Sequence, residues 1–167
     1  MVPPAGQPGV IVSTPTDREI VLTREFDAPR RLVFDAHTRP ELLERWMYGP
    51  DGWSLAVCEV DLRVGGALRY VWRAPDGSEM GLSGVYREIV PPERLVHTQT
   101  FDEPWSAGET LVTTVLDERA GRTMLTMTMR YQSREARDEA LATNMAQGAG
   151  MSYDRLAKLL APLPVDT

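Results

Sequence analysis

The 167-residue sequence has one cysteine, two histidines and no long apolar run, and each scarcity removes a class of protein. Cys58 has no second cysteine to pair with, so an internal disulfide is impossible and we interpret it as a small core or strand residue. His37 and His97 form no His-x-x-x-His or Cys-x-x-Cys pattern, so we predict no metal site and expect no cofactor. No apolar stretch approaches the roughly 18 residues that a membrane-spanning helix requires.

Positive charge is also scarce. The chain has 18 Lys and Arg against 24 Asp and Glu, a net charge of −6, and it lacks the basic cluster that binds a phosphate backbone. Nucleic acid is therefore not an expected partner. Residues 1–16 contain no Lys or Arg, unlike the positive start of a secretory signal, and we expect a cytoplasmic protein. The length suits one domain, predicted at residues 18–162 between a flexible N-terminal tail, 1–17, and a C-terminal tail, 163–167.

What the chain does have is a series of short β-type segments separated by turn signals. The signals between Val60 and Leu95 are Gly65-Gly66, Asp76-Gly77, Gly84 and Pro91-Pro92. Asp-Gly favours a two-residue hairpin, and a double proline cannot continue a ladder, so this region is predicted to be an antiparallel meander. Over the whole chain we predict seven strands, at 19–26, 54–61, 67–73, 80–90, 94–101, 109–117 and 122–131.

Helical patterns flank the strands. Ala28-Pro29 ends the first strand and precedes a short helix at 30–37, and Pro40 opens a second short helix. Ser133 is the predicted N-cap of a single long C-terminal helix, which Pro162 ends. One face of that helix is predicted to lie on the sheet: Leu141, Met145, Gly148, Ser152, Leu156 and Leu159. Gly148 and Gly150 inside a helix suggest a close approach to the sheet or a kink that widens a pocket.

The order of these elements resembles the START-like, Bet v 1-like helix-grip superfamily called SRPBCC, in the branch named for the activator of heat-shock protein 90 ATPase homologues. The matching motifs are Asp61-x-Arg63-x-Gly65-Gly66, Asp76-Gly77, Gly84-x-Tyr86, Pro92-Glu93-Arg94-Leu95, Thr38-x-Pro40-Glu41 with Trp46, and Tyr153-Asp154-x-Leu156. The resemblance covers about Glu19 to Leu160. It implies an α+β fold in which a curved antiparallel sheet of seven strands wraps around the C-terminal helix, with two short helices after strand 1 and a cavity between sheet and helix.

Strand alternation then predicts which side chains enter that cavity. Leu68, Tyr70 and Trp72 share the apolar face of their strand, and Met127 and Met129 share a face of theirs. His97 lies with Leu95, Gln99 and Phe101, but alternation does not decide which face of that strand is inside. The predicted ligand-binding residues are Trp46, Tyr70, Trp72, His97, Gln99, Met127, Met129 and Met145. The alternative is that the methionines simply fill the core.

Catalytic residues remain unassigned, because no Gly-x-Ser-x-Gly elbow or other catalytic motif is present. Gly65-Gly66 precedes a strand rather than a helix, so it is interpreted as a turn and not as a phosphate cradle. Asp61 is interpreted as an ion-pair partner of Arg63; a buried Asp61 would instead be a proton acceptor. Trp46, Trp53 and Trp105 are predicted to lie at the cavity mouth, where they either gate a ligand or cover the open end of the core.

Three functions follow from these patterns and from the resemblance. The first is the binding of a small, mostly hydrophobic molecule in the cavity. The second is a polyketide cyclase or aromatase-like enzyme that uses the same cavity, with cyclase or hydrolase-like chemistry. The third is interaction with a chaperone ATPase, which the branch name implies. The ligand, any reaction and the oligomeric state stay open.

Overall fold

The computed structural model describes residues 9–103 and 108–161, which form a large curved sheet and four helices. Residues 163–167, the predicted C-terminal tail, lie outside the described residues, as do the first eight residues of the predicted N-terminal tail. The strands are β1 Ile11–Ser13, β2 Glu19–Phe26, β3 Ser54–Val60, β4 Ala67–Arg73, β5 Glu79–Val90, β6 Arg94–Phe101, β7 Thr110–Arg119 and β8 Arg122–Arg130. The helices are α1 Arg30–Thr38, α2 Pro40–Trp46, α3 Arg134–Ala142 and α4 Met145–Leu160.

The sheet is antiparallel throughout, in the order β1-β2-β8-β7-β6-β5-β4-β3. The seven predicted strands are all present as β2 to β8, and the α+β helix-grip architecture is confirmed. The strand count of seven is one short, because β1 adds an eighth strand at the edge and pairs Ile11 with Thr23 of β2. This three-residue strand lies within the segment predicted to be a tail, and it is too short to show an alternation pattern of its own.

The two short helices follow β2 as predicted. Pro40 occupies the first turn of α2, where its missing N–H needs no partner. Ser133 caps α3 as predicted: its Oγ accepts a hydrogen bond of 3.1 Å from the Ala136 N–H.

The prediction of a single long C-terminal helix is wrong, because the helical conformation is interrupted between α3 and α4. Asn144 has a φ of 58°, the left-handed conformation in which a right-handed helix cannot continue. Just before it, the Thr143 hydroxyl donates to the Ala140 carbonyl at 2.6 Å, so one of the last carbonyl groups of α3 gains a hydrogen bond there. Leu141 therefore leaves the predicted sheet-facing stripe and is 37% exposed.

Helix α4 is fastened to the segment that precedes β1. One oxygen of Asp154, Oδ1, accepts from the Gly9 N–H at 2.8 Å and from the Arg24 guanidinium at 2.6 Å. Gly150 packs at the same place, since a Cβ there would lie 3.0 Å from the Gly9 Cα. The close approach predicted for this glycine is therefore made to the N-terminal segment, and the sheet is not its partner.

The core fills the space between the helices and the concave face of the sheet. Its fully buried members include Phe26 of β2, Leu43 of α2, Leu125 of β8 and Leu156 of α4. Such interleaving of residues distant in the chain is what holds a sheet against helices. No helix in the described ranges is long and apolar enough to cross a membrane.

A candidate ligand cavity between sheet and helices

A cavity of about 440 Å³ lies between the concave face of the sheet and the helices. All eight residues predicted to bind a ligand line it: Trp46, Tyr70, Trp72, His97, Gln99, Met127, Met129 and Met145. Their placement follows from strand and helix periodicity. Their role in binding remains a prediction.

Strands β2 and β4 to β8 supply one wall, which we call the sheet wall. On β4, Tyr70 and Trp72 point into the cavity, and their rings meet edge to face at 5.9 Å between centroids. On β6 the structure decides the open question, because Leu95, His97, Gln99 and Phe101 all line the cavity. On β8 the inward residues are Met127 and Met129, as alternation predicts.

Helices α1, α2 and α4 supply the opposite wall, which we call the helical wall. Trp46, predicted at the cavity mouth, is instead buried in this wall and stacks on Tyr153 of α4, with ring centroids 5.4 Å apart. Its indole N–H donates to the Ala36 carbonyl at 3.0 Å, which satisfies the polar edge of the ring inside the core. His37 of α1 meets Trp46 edge to face at 5.0 Å, so the three rings form one aromatic cluster.

His37 is held in one tautomer. Its Nδ1 lies 2.7 Å from the Val33 carbonyl oxygen, which can only accept, so Nδ1 carries the proton. Nε2 is then an acceptor, and the Tyr153 hydroxyl reaches it at 3.5 Å. Burial lowers the pKa of His37 to about 4, although the bond to Val33 offsets part of that effect; the nearby His97 lowers the pKa further. The ring is neutral at pH 7.

His97 is held in the same way from the sheet wall. Its Nδ1 donates to the Thr98 carbonyl at 2.9 Å, so Nε2 is again an acceptor. Burial lowers the pKa of His97, and the bond to Thr98 only partly opposes this. Within the described residues no group donates to His97 Nε2. The two histidines thus share one tautomer, but only His37 has a partner for its second nitrogen.

The cavity carries no charge at pH 7. Among the described residues that line it there is no Asp, Glu, Lys or Arg. Burial raises the pKa of Tyr86 to about 12 and that of Tyr70 well above its ordinary value, so both phenols stay protonated. The remaining polar groups are the hydroxyls of Thr114, Ser152 and Tyr153, the amide of Gln99 and the indole N–H groups of Trp46, Trp53 and Trp72.

The segment between α2 and β3 forms part of the cavity rim and is fastened from both walls. The Trp72 indole N–H donates to the Met47 carbonyl at 2.9 Å, and Arg155 of α4 donates to the Gly49 carbonyl at 2.6 Å. Trp53, predicted at the mouth, lines the cavity, and Met151, 41% exposed, marks its solvent side. Trp105, also predicted there, lies outside the described residues.

Other candidates from the sequence lie away from the cavity. Asp61 is exposed and accepts from Arg63 Nε at 2.8 Å, which confirms the ion pair and removes the buried proton acceptor. Gly65-Gly66 is a turn, in which the Gly66 N–H donates to the Arg63 carbonyl. Burial, assisted by the nearby Glu44 and Glu41, raises the pKa of Cys58 to about 12, so its thiol stays protonated at pH 7. The described residues contain no cluster of three His, Cys, Asp or Glu side chains that could hold a metal ion.

Sequence reasoning missed two polar members of the site, His37 and Tyr153. A signal for His37 existed, since it follows the buried Val33 by four residues and so lies on the same face of α1. Nothing local pairs it with Tyr153, which is 116 residues away in the chain.

Comparison with known proteins supplies relatives for this architecture. The profile of the family described as activator of Hsp90 ATPase homolog 1-like protein matches residues 27–161. A crystal structure of a Rhodobacter sphaeroides protein is similar at 34% identity, with a TM-score of 0.86 over 91% of this chain and 97% of that one. A Chromobacterium violaceum protein is 29% identical, with a TM-score of 0.74 over 88% of this chain and 99% of the other.

A more distant structure shares the fold alone. CalU16 of Micromonospora echinospora is 24% identical, with a TM-score of 0.60 over 93% of this chain and 86% of that one. Among curated proteins, none matches the chain.

Proposed function

The chain belongs to the activator of Hsp90 ATPase homolog 1-like protein family, and on that premise we propose that it binds a small, mostly hydrophobic ligand between the sheet and α4. The observation that carries the proposal is the cavity itself, about 440 Å³ in volume and lined by uncharged, largely apolar side chains. Ligand pockets in proteins are typically of this size and character.

The lining favours an apolar ligand of adaptable shape. Removing apolar surface from water stabilises a complex by about 25 cal/mol per Å². Met127, Met129 and Met145 are flexible thioethers that adjust to irregular ligands, while Trp46 and Trp72 present flat rigid faces.

The test is a thermal-shift screen with apolar acids, aromatic polyketide-like compounds and lipids, followed by mass spectrometry of any ligand retained during purification. A ligand that binds only the folded chain raises the melting temperature as its concentration exceeds its dissociation constant. Ala149→Leu adds bulk to the lining and is expected to abolish the shift, whereas Lys158→Leu, at an exposed position of the same helix, should preserve it. Equal shifts in both variants would contradict binding in this cavity.

A cyclase-like enzyme is the second candidate, and one observation favours it. His97 lines the cavity as a neutral imidazole whose Nε2 receives no hydrogen bond from the described residues, and such a nitrogen can accept a proton from a bound substrate. The test is turnover of an aromatic-forming poly-β-keto compound. Loss of turnover in His97→Phe with retained binding would support the enzyme; binding without turnover in the wild type would leave only the binding function.

A chaperone ATPase is the partner that the family description suggests. Its test is the rate of ATP hydrolysis by an Hsp90 with and without an excess of this protein. A rate increase that persists in Ala149→Leu would place this activity on the surface, separate from the cavity.

A further inference from the structure

We propose, building on the cavity function above, that the ligand is an uncharged molecule whose hydroxyl group donates a hydrogen bond to Nε2 of His97. The proposal deepens the binding function by assigning the polar end of the ligand. It rests on the tautomer of His97, on its contrast with His37 and on the absence of charge in the lining.

The backbone decides what His97 can offer a ligand. The Thr98 carbonyl oxygen can only accept, and it lies 2.9 Å from Nδ1, so the single proton of the neutral ring stays on Nδ1. Nε2 is left with a lone pair and no proton. A ligand group that meets it must therefore bring the hydrogen.

His37 shows how the protein itself satisfies such a nitrogen. Its Nδ1 is fixed by the Val33 carbonyl in the same manner, and its Nε2 faces a phenol, the Tyr153 hydroxyl at 3.5 Å. His97 lines the same cavity, but no described residue gives its Nε2 an equivalent hydroxyl. The missing donor is the group that we assign to the ligand.

The other polar groups in the lining do not require the ligand to donate a hydrogen bond. The hydroxyls of Ser152 and Thr114 and the amide of Gln99 can each donate or accept, so they accommodate either kind of partner. His97 Nε2, in contrast, can only accept. It therefore discriminates between a hydroxyl and a group that only accepts, such as an ether.

The electrostatics restrict the ligand further. No described lining residue is charged, so a carboxylate entering the cavity would lose its hydration without gaining a cation. It would also set a negative oxygen against the lone pair of His97 Nε2. An alcohol or a phenol is uncharged and can donate a hydrogen bond to Nε2. An ionised acid is charged and has no hydrogen to donate.

Three probes of one shape test the assignment: 4-hydroxystilbene, 4-methoxystilbene and stilbene-4-carboxylate. Their dissociation constants are measured at pH 7.5 by titration calorimetry with the full chain. We expect the phenol to bind about tenfold to a hundredfold more tightly than the ether, because the ether leaves a desolvated acceptor unpaired. The carboxylate should bind most weakly.

Two variants locate the preference. His97→Phe keeps an aromatic ring beside Tyr86 but removes the acceptor, so the affinities for phenol and ether should become equal. Met127→Leu is the matched control: it alters the lining without touching a hydrogen bond, and it should leave the ratio unchanged. A ratio that survives in His97→Phe would overturn the assignment.

The wild-type protein provides a readout that requires no variant. Long-range ¹⁵N NMR spectra of the histidine rings should show His97 protonated at Nδ1 and bare at Nε2. Adding the phenol should shift the Nε2 resonance, and adding the ether should not. A proton on Nε2 in the free protein would overturn the inference.

The outcomes also separate this inference from the cavity function. If phenol and ether bind equally well, the cavity function stands and the hydroxyl assignment is overturned. If the carboxylate binds best, the uncharged ligand class is overturned. If none of the three binds, both the cavity function and the assignment lose their support.

Discussion

The two walls of the cavity are built on different principles. In the sheet wall, each strand is tied to its neighbours by a ladder of hydrogen bonds, and alternation alone places Tyr70, Trp72 and Met129 inside. In the helical wall, no ladder of backbone hydrogen bonds joins α4 to its neighbours. The helix is positioned by side-chain packing and by a few contacts with distant parts of the chain, such as Asp154 with Gly9 and Arg24.

This difference predicts where the protein yields to change. A strand in the middle of the sheet cannot move without breaking hydrogen bonds on both sides, whereas a helix that rests on side chains can shift or rotate slightly. The sheet wall should therefore keep its shape, and the helical wall should adapt to mutations and ligands. Each of the following predictions compares the two walls or the contacts that join them.

The largest expected effect comes from truncating one buried leucine in each wall. Leu125 of β8 and Leu156 of α4 are both 0% exposed. Each change to alanine should cost about 2–5 kcal/mol of unfolding free energy, with the higher cost for Leu125→Ala, because strands cannot close the void while a helix can settle into it. Urea unfolding measures both, and Leu141→Ala, at an exposed site on α3, serves as control. A higher cost for Leu156→Ala would contradict the comparison.

The pH dependence of stability gives the next effect and concerns His37 of the helical wall. Burial lowers its pKa in the folded chain to about 4, against 6.5 in the unfolded chain. Between these values only the unfolded chain is protonated, so acidification favours unfolding. The contribution of the neutral His37 to the unfolding free energy is fully present above pH 6.5. It falls by about 3 kcal/mol as the pH drops to 4, at about 1.4 kcal/mol per pH unit.

His37→Gln isolates that contribution, because it removes the titrating group and leaves the carboxylates in place. The unfolding free energy of the variant should vary less between pH 6.5 and 4 than that of the wild type, whatever its absolute value. Denaturant titrations at four pH values measure the two slopes. Parallel curves would show that His37 does not titrate with a lowered pKa.

The sequence also predicts the sheet wall better than it predicts the helical wall. The strands from Glu19 to Arg130 and most of their inward faces are predictable, because a period of two and turn signals such as Asp76-Gly77 are local properties; the inward face of the strand that carries His97 is not, since both of its faces carry apolar residues. The caps were equally local, and Ser133 was identified as one. These features needed no knowledge of the fold.

The errors involve contacts between residues far apart in the chain. Strand β1 exists because it pairs with β2, and its three residues carry no pattern that would distinguish them from a tail. The break at Asn144 interrupts a helical pattern that runs through it without a proline or glycine. The meeting of His37 with Tyr153 depends on how α4 crosses α1, which no local pattern encodes.

A third prediction tests the contacts that hold α4 to the sheet and to the N-terminal segment. Arg24 is nearly buried, with 9% of its side chain exposed, and Asp154→Asn removes the charge that it faces. Because Asp154 is partly exposed, we expect a loss of about 1–3 kcal/mol rather than the full penalty of a buried pair. Asp51→Asn, which breaks the exposed pair with Arg155 on the same helix, is the matched control and should cost less than about 0.5 kcal/mol.

Hydrogen exchange of the β1 amides sharpens this test. The N-terminal segment should open more readily in Asp154→Asn, so exchange at Ile11–Ser13 should accelerate while β5 is unaffected. Burial by itself raises the pKa of Asp154, but bonds from Gly9 and Arg24 outweigh it and the net shift is downward. The stabilisation should consequently be present above the unfolded pKa and disappear as pH falls through the lower folded value. Unchanged β1 exchange in the variant would show that Asp154 does not fasten the segment.

The smallest expected effect separates the two glycines of α4. A Cβ at Gly148 would meet nothing within 4 Å, so Gly148→Ala should stabilise by about 0.5–1 kcal/mol through helix propensity. A Cβ at Gly150 would lie 3.0 Å from the Gly9 Cα, in the segment that Asp154 holds, so the same gain must displace backbone. Gly150→Ala should therefore stabilise less than Gly148→Ala, or destabilise, and thermal unfolding of the two variants ranks them. Equal gains would mean that the N-terminal segment yields freely, and that the helical wall is held by its core contacts alone.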